Sequence, residues 1–275
     1  MLTVPEAEIY YEVRGSGPPL LLVNGGDADA AMFAPLAGLL ADDYTVVTFD
    51  LRGNSRSRLT GPPRAQLIEE HGHDTHLLLG AVAGDEPAYV FGTSYGGMIG
   101  MDLLARHPGQ VRALVAHEPF VIDLLPDASH WHDLFQEVYE LYQREGLDPA
   151  MRRFSTAIGV DGPPRAAQNL PVPVQQMLAR IRANMETCLT YELRSFVRFR
   201  PDVDALRAGP FALVVGGEGP QTLVHRTARA LEERVGTGIV EFPGGHVGFL
   251  SHPADFAAAL RAAFAAFGDV EAIDD

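Results

Sequence analysis

The stretch from Ala88 to Leu104, AYVFGTSYGGMIGMDLL, begins with aromatic and β-branched residues, crosses four glycines and continues with Met, Ile and Leu at helical spacing. A strand that enters a helix through glycines this closely packed is one of two things. It is a generic tight turn, or it holds Ser94 exposed and strained at the apex of a sharp bend because the serine performs chemistry. The surrounding chain has to decide.

Upstream, AEIYYEVRG (Ala7 to Gly15) alternates and predicts one strand. LLLVNGG (Leu20 to Gly26) and YTVVTFD (Tyr44 to Asp50) are continuous apolar runs, as expected of strands buried on both faces. Helical spacing follows each, in AAMFAPLAGLLADD and from Arg64 to Ala83. Downstream, a helix over Tyr95 to His107 leads to a strand over Val111 to Pro119. Strands alternating with helices through short connections predict right-handed crossovers and a mostly parallel, doubly wound α/β sheet. The alternation stops after Pro119. Between residues 120 and 209 there is helical periodicity and a Pro-rich loop, DGPPRAAQNLPVPV, but no strand pattern. It resumes with FALVVGG (Phe211 to Gly217), a helix over Thr222 to Val235, TGIVEFPGGH, and a last helix from Pro253 to Phe267, before an acidic tail expected to fray. The predicted organisation is a core of residues 1–119 and 210–275, interrupted by a helical insertion over 120–209.

Composition narrows the function. With 275 residues, 47% of them hydrophobic, the chain can bury a large core. A net charge of −15 argues against nucleic acid and anionic membrane surfaces as partners. No basic n-region precedes an apolar h-region and no apolar run approaches a membrane span, so a cytoplasmic protein is expected. The single cysteine, Cys188, excludes an intrachain disulfide and a cysteine-rich metal site, and is expected to be buried and inert. All 21 basic residues are arginine. Without lysine there is no Schiff base, no covalent pyridoxal phosphate, no Walker A lysine and no Ser-Lys dyad.

Gly92-Thr93-Ser94-Tyr95-Gly96 fits G-x-S-x-G, after a strand and before a helix as that motif requires. Here the chain resembles the α/β-hydrolase superfamily, over essentially its whole length. Asn24-Gly25-Gly26 stands where that family has its His-Gly loop, DLRGNSRS resembles its Asp-x-Arg-Gly-x-Gly-x-Ser turn, and PGGHVGF resembles the loop bearing its catalytic histidine. The helical insertion stands where these enzymes carry a cap. The resemblance implies Ser94 as nucleophile, His246 as base, and the N–H groups of Gly26 and Tyr95 as an oxyanion hole, donors worth about 3–4 kcal/mol each. It implies no cofactor and no metal.

The third member of the triad departs from the pattern. The family places an aspartate after the strand FALVVGG, where this chain has Gly217-Glu218-Gly219-Pro220-Gln221. Glu118, at the carboxyl end of VRALVAHEP, is favoured, because such strand ends face the site in an open parallel sheet. Glu218 is the alternative. His246 stands apart among ten histidines because it lies on a glycine-rich loop where nothing structural demands an imidazole. His107, His225 and His252 are expected to be solvated, and His117 to make a core or cap contact. His71, His73 and His76, with Glu69, Glu70 and Asp74, are expected to form a polar helix face rather than a metal site.

Trp131, Phe135, Tyr139, Tyr142, Met151, Phe154, Met177, Met185, Phe196 and Phe199 make the insertion apolar. Much of that stripe is expected to be packing. The rest would roof a pocket for a moderately large apolar small molecule. The expected activity is hydrolysis of an ester or lactone through an acyl-enzyme. A carbon–carbon bond hydrolase, a cofactor-free haloperoxidase or perhydrolase, and a catalytically silent small-molecule-binding protein are the alternatives. A homodimer is left open. Serine at position 94 disfavours the dehalogenases and epoxide hydrolases of this fold, which use aspartate.

Overall fold

The apolar runs become the middle of a seven-stranded sheet. The computed structural model describes residues 1–159, 170–219 and 222–268. Its strands are β1 (Leu2–Val4), β2 (Ala7–Ile9), β3 (Tyr11–Arg14), β4 (Pro19–Val23), β5 (Thr45–Phe49), β6 (Arg58–Leu59), β7 (Ala88–Thr93), β8 (Val111–His117), β9 (Phe211–Gly216) and β10 (Ile239–Phe242). Its helices are α1 (Ala34–Leu40), α2 (Ile68–Ala83), α3 (Tyr95–Arg106), α4 (Ala128–Glu145), α5 (Leu147–Ile158), α6 (Val172–Thr187), α7 (Leu193–Phe196), α8 (Val203–Ala208), α9 (Leu223–Val235), α10 (Gly248–Ser251) and α11 (Pro253–Gly268). The large sheet runs β10-β9-β8-β7-β4-β5-β3, parallel throughout except for β3 at the edge.

Side chains along β4 alternate between two cores. Leu20 and Leu22 join Phe33, Phe91, Phe256 and Phe264 on the face covered by α1 and α11. Leu21 and Val23 join Met98, Ile99 and Leu103 on the face covered by α2, α3 and α9. All five residues of β4 are buried, which is why the strand reads as a continuous apolar run. After β4 the chain adds β5 on one side of it and β7, β8, β9 and β10 on the other. The β4–β7 boundary is therefore the topological switch point, where open α/β sheets place their ligand crevice.

Three expectations are corrected. The segment from Ala7 to Gly15 is two strands: β2 belongs to a small antiparallel sheet with β1 and β6, and β3 to the large one. Tyr10 separates them because its N–H donates to Ser57 Oγ at 2.8 Å instead of to a ladder. Helix α2 begins at Ile68 rather than Arg64, because the Glu70 carboxylate accepts the Leu67 N–H and also pairs with Arg64. Nor is α2 simply polar on its charged side, since His71 and Asp74 are buried. Arg52 meets Asp74 through two 2.7 Å hydrogen bonds, and His71 Nε2 lies 2.7 Å from Gln66 Oε1. Burial, reinforced by Arg52, pushes the His71 pKa down to about 3.

Helices α4 to α7 and one turn of π-helix, Cys188–Glu192, lie between β8 and β9, with no strand among the described residues there. Helix α8 packs against α3 and α9. The Pro-rich loop lies mostly outside the described residues, as does the acidic tail. No helix among the described residues is long and apolar enough to cross a membrane.

The Arg52–Asp74 pair ties the turn after β5 to α2 with both partners almost fully buried. Asp74→Ala leaves the buried Arg52 guanidinium with only Glu70, 3.8 Å away, as a counter-charge, so a loss of about 3 kcal/mol is expected, read as a lowered urea midpoint with an unchanged slope.

Candidate active site

The bend at Ser94 exists because backbone meets backbone on both sides of it. A Cβ on Gly92 would lie 2.2 Å from Gly96 O, and one on Gly96 would lie 2.1 Å from Val23 O. Ser94 consequently adopts φ 55°, ψ −120°, a conformation costly for any residue with a side chain. Its N–H donates to His117 O at 2.9 Å and its carbonyl accepts from Gly97 at 3.0 Å, so the serine is pinned between β8 and α3.

Glu118 follows β8 with φ 45°. Its N–H donates to Val214 O at 2.9 Å and its Oε1 accepts the Gly216 N–H at 3.0 Å. The other oxygen, Oε2, lies 2.6 Å from His246 Nδ1. With Nδ1 donating to the carboxylate, Nε2 keeps the ring's lone pair. Burial alone would raise the Glu118 pKa. The hydrogen bond from His246, the neighbouring His117 and the Gly216 N–H outweigh burial and hold it below its ordinary value. Glu218 is exposed, and its own N–H donates to Gly244 O at 3.0 Å, which braces the loop that carries His246. Glu118 therefore pairs with the imidazole and Glu218 does not.

The loop after β4 lies beside the serine. A Cβ on Gly25 would come within 3.2 Å of Ser94 Cβ, and one on Gly26 within 2.6 Å of the Tyr95 ring and 3.4 Å of Cys188 Sγ. Among the described residues the Gly26 and Tyr95 amides have no hydrogen-bond acceptor. Asn184, on α6, fastens this loop from the insertion. Its Nδ2 donates to Asp27 O at 3.2 Å, Ala28 O at 2.9 Å and Ser55 Oγ at 2.8 Å, while its Oδ1 accepts the Ser55 N–H at 2.7 Å. Arg180, one turn earlier on α6, pairs with the fully buried Asp29 at 2.5 Å.

Four side chains that the sequence reading did not single out for the site therefore converge here: Asp27, Asn54, Asn184 and Glu192. Asp27, as the residue after the glycine pair, and Asn54, inside DLRGNSRS, had a local signal. Cys188 is half-buried against Gly26 rather than fully buried, and burial pushes its thiol well above its ordinary pKa. His225 is buried rather than solvated. His107 stacks on His76 at 3.7 Å, and His252 is exposed. His117 is fully buried with Nδ1 2.9 Å from Thr93 Oγ1, and its ring centre lies 6.2 Å from that of His246. Among the described residues no group of three His, Cys, Asp or Glu side chains could hold a metal ion.

A strained serine between strand and helix, a histidine held by a strand-end carboxylate and a parallel sheet with its crevice at that point define the class. The chain belongs to the alpha/beta hydrolase family, whose profile matches residues 20–259, and it is an enzyme of the hydrolase class. It is 37% identical over 271 residues to the uncharacterized hydrolase YraK of Bacillus subtilis, covering 94% of this chain and 93% of that one. It is 27% identical over 255 residues to a zearalenone hydrolase of Bionectria ochroleuca, covering 90% of each. A thermophilic esterase from Thermogutta terrifontis shares the fold with a TM-score of 0.74 at 19% identity, covering 95% of this chain and 94% of that one.

Burial pushes the His117 pKa down to about 4, so the folded protein keeps this ring neutral while the unfolded chain takes up a proton below about 6.5. Stability is then complete above pH 6.5 and falls as pH drops toward 4, by on the order of 3 kcal/mol from this group. Urea unfolding at pH 7, 6, 5 and 4 checks this, and His117→Gln is expected to flatten the decline.

Proposed function

We propose that this enzyme is a serine hydrolase that cleaves an ester or lactone bond of a moderately large apolar small molecule through an acyl-enzyme. The observation that carries the reading is the 2.6 Å contact between His246 Nδ1 and Glu118 Oε2, with the residue before Glu118 accepting the N–H of a serine strained at φ 55°. A serine hydroxyl is a weak nucleophile near neutral pH and needs a base. In the proposed reaction Ser94 Oγ attacks the substrate carbonyl carbon as His246 Nε2 takes its proton. Glu118 fixes the tautomer and stabilises the imidazolium. The Gly26 and Tyr95 amides receive the oxyanion. Collapse expels the alcohol, which takes the proton from His246. Water, activated by the same imidazole, then releases the acid and restores Ser94.

The insertion serves as the cap in this reading. Tyr95 stands edge-on to Phe196 and Phe120, with ring centres 5.0 and 5.7 Å away, and Phe120 continues to Phe135 and Phe154. This aromatic path leads from the serine into the insertion and supports an apolar substrate. Phe135 and Phe196 are fully buried and serve as packing.

Hydrolysis of p-nitrophenyl esters from acetate to decanoate tests the proposal. Ser94→Ala is expected to lower kcat by about 10⁶ and Glu118→Gln by about 10⁴, with little change for Glu218→Gln and a preference for middle chain lengths. A wild-type enzyme inert on every ester overturns the ester reading. Loss of activity in Glu218→Gln rather than Glu118→Gln overturns the assignment of the acid.

A further inference from the structure

Several polar groups next to Ser94 have no part in that reaction. The π-turn Cys188–Glu192 interrupts the insertion's helices directly over the oxyanion loop, an irregularity that recurs at functional sites. It carries Glu192 into a fully buried position. Oε1 of Glu192 accepts from Asn54 Nδ2 at 2.7 Å, whereas Oε2 has no hydrogen-bond partner. The Tyr95 hydroxyl is also buried and without a hydrogen-bond partner, apart from the weakly polar Cys188 thiol beside it. The Tyr95 ring and the Cys188 sulfur both border Gly26, and the Glu192 and Asp27 carboxyls act on the hydroxyl electrostatically. Glu192 makes no ion pair among the described residues, and Asp27 adds negative charge to its surroundings.

A buried polar atom left unpartnered is costly, and native proteins seldom keep one without a use for it. Burial, opposed by the Asn54 hydrogen bond and reinforced by Asp27, pushes the Glu192 pKa up to about 7. Burial, relieved only by His246, does the same to Asp27. Near and below neutral pH, Glu192 therefore carries a proton. Because Oε1 is already an acceptor for Asn54, that proton sits on Oε2 and has no acceptor in the protein. The phenol of Tyr95 is likewise held protonated by burial. The two lie beside the loop after β4: the Tyr95 ring borders Gly26, and Glu192 ends the π-turn whose Cys188 sulfur borders the same glycine.

We propose that Glu192 and the Tyr95 hydroxyl are a donor subsite that binds a second oxygen of the substrate, a ketone, ether or hydroxyl oxygen distinct from the scissile carbonyl, so that the enzyme selects oxygenated apolar esters or lactones over plain aliphatic ones. This rests on the reading of Ser94 as the nucleophile. Sites built to hydrogen-bond a substrate oxygen discriminate strongly against analogues that lack it, since the donors are then left unpaired.

Matched p-nitrophenyl alkanoates and oxoalkanoates test it, with the keto group placed at successive chain positions and kcat/KM compared within each pair. Wild type is expected to favour the oxo ester by about 10–100-fold at one position, mainly through KM. Glu192→Gln keeps an N–H donor and retains most of that preference; Glu192→Leu brings it near one. The wild-type preference falls as pH rises through 7 and the donor is lost, while that of Glu192→Gln does not, which a merely structural role would not produce. This comparison also decides the matter if Glu192→Leu does not fold. No oxo preference in wild type at any position, or a preference surviving in Glu192→Leu, overturns the proposal. So does a preference for an ammonium-bearing ester that Glu192→Gln abolishes, since the site would then be a cation site. If wild type hydrolyses neither ester, the nucleophile reading fails. Calorimetric binding of octan-2-one against octan-2-thione to wild type and Glu192→Gln then decides this one: an unselective wild type overturns it, and a ketone preference kept by both supports it.

Discussion

Two backbone carbonyls, Val23 O and Gly96 O, occupy the space that Cβ atoms would take at Gly96 and Gly92. That contact packs β4, β7 and α3 backbone against backbone, and the geometry of the candidate site follows from it. Gly96 against the end of β4 brings the first turn of α3 alongside the loop Asn24 to Asp27. The serine at the bend and the glycines of that loop consequently lie together at the switch point of the sheet. Larger residues at either glycine would separate strand from helix and move the serine away from the loop. Tightness in the core and geometry at the site are the same constraint.

Strain concentrates where the chemistry is placed. Among the described residues five non-glycines have positive φ, and four of them, Asp27, Ser55, Ser94 and Glu118, surround the candidate site or brace it. Each such conformation costs about 1–3 kcal/mol and persists only where the surroundings over-determine it. The fastenings are visible. Ser94 and Glu118 are held by hydrogen bonds to neighbouring strands, and Ser55 by both ends of the Asn184 amide. Asp27 is held through its carbonyl by the same asparagine. The sheet and one helix of the insertion thus share the cost of keeping the reacting groups in place.

The sequence was informative where physics acts locally. Continuous apolar runs marked β4, β5, β7, β8 and β9 because strands covered on both faces have no reason to alternate. Gly92 and Gly96 marked the bend because a backbone contact admits nothing larger. Glu118 was legible as a strand-end carboxylate, although an acid after β9 was the more familiar arrangement. Tyr10 was read as the middle of one strand because its break depends on Ser57, 47 residues away. His71 and Asp74 were read as part of a polar helix face because the groups that bury them, among them Arg52 and Phe196, lie elsewhere in the chain. Asn184 and Glu192 had no local signal at all. Their partners stand 129 to 157 positions away, and nothing in the composition of α6 or the π-turn distinguishes them.

The clamp made by Asn184 changes what kind of part the insertion is. Its amide holds the loop that follows Gly26 and the turn that follows β5, and Arg180 beside it is salted to the buried Asp29. The helices between β8 and β9 are thus wired into the core at several places besides the ends where the chain enters and leaves, Gln66 among them. They are not an interchangeable module. A chimera that moved them onto a related core would need the loop at 27–29 and the turn at 54–56 to travel with them. Across a lineage, these three stretches would be expected to drift as a linked set, even though they are distant from one another along the gene.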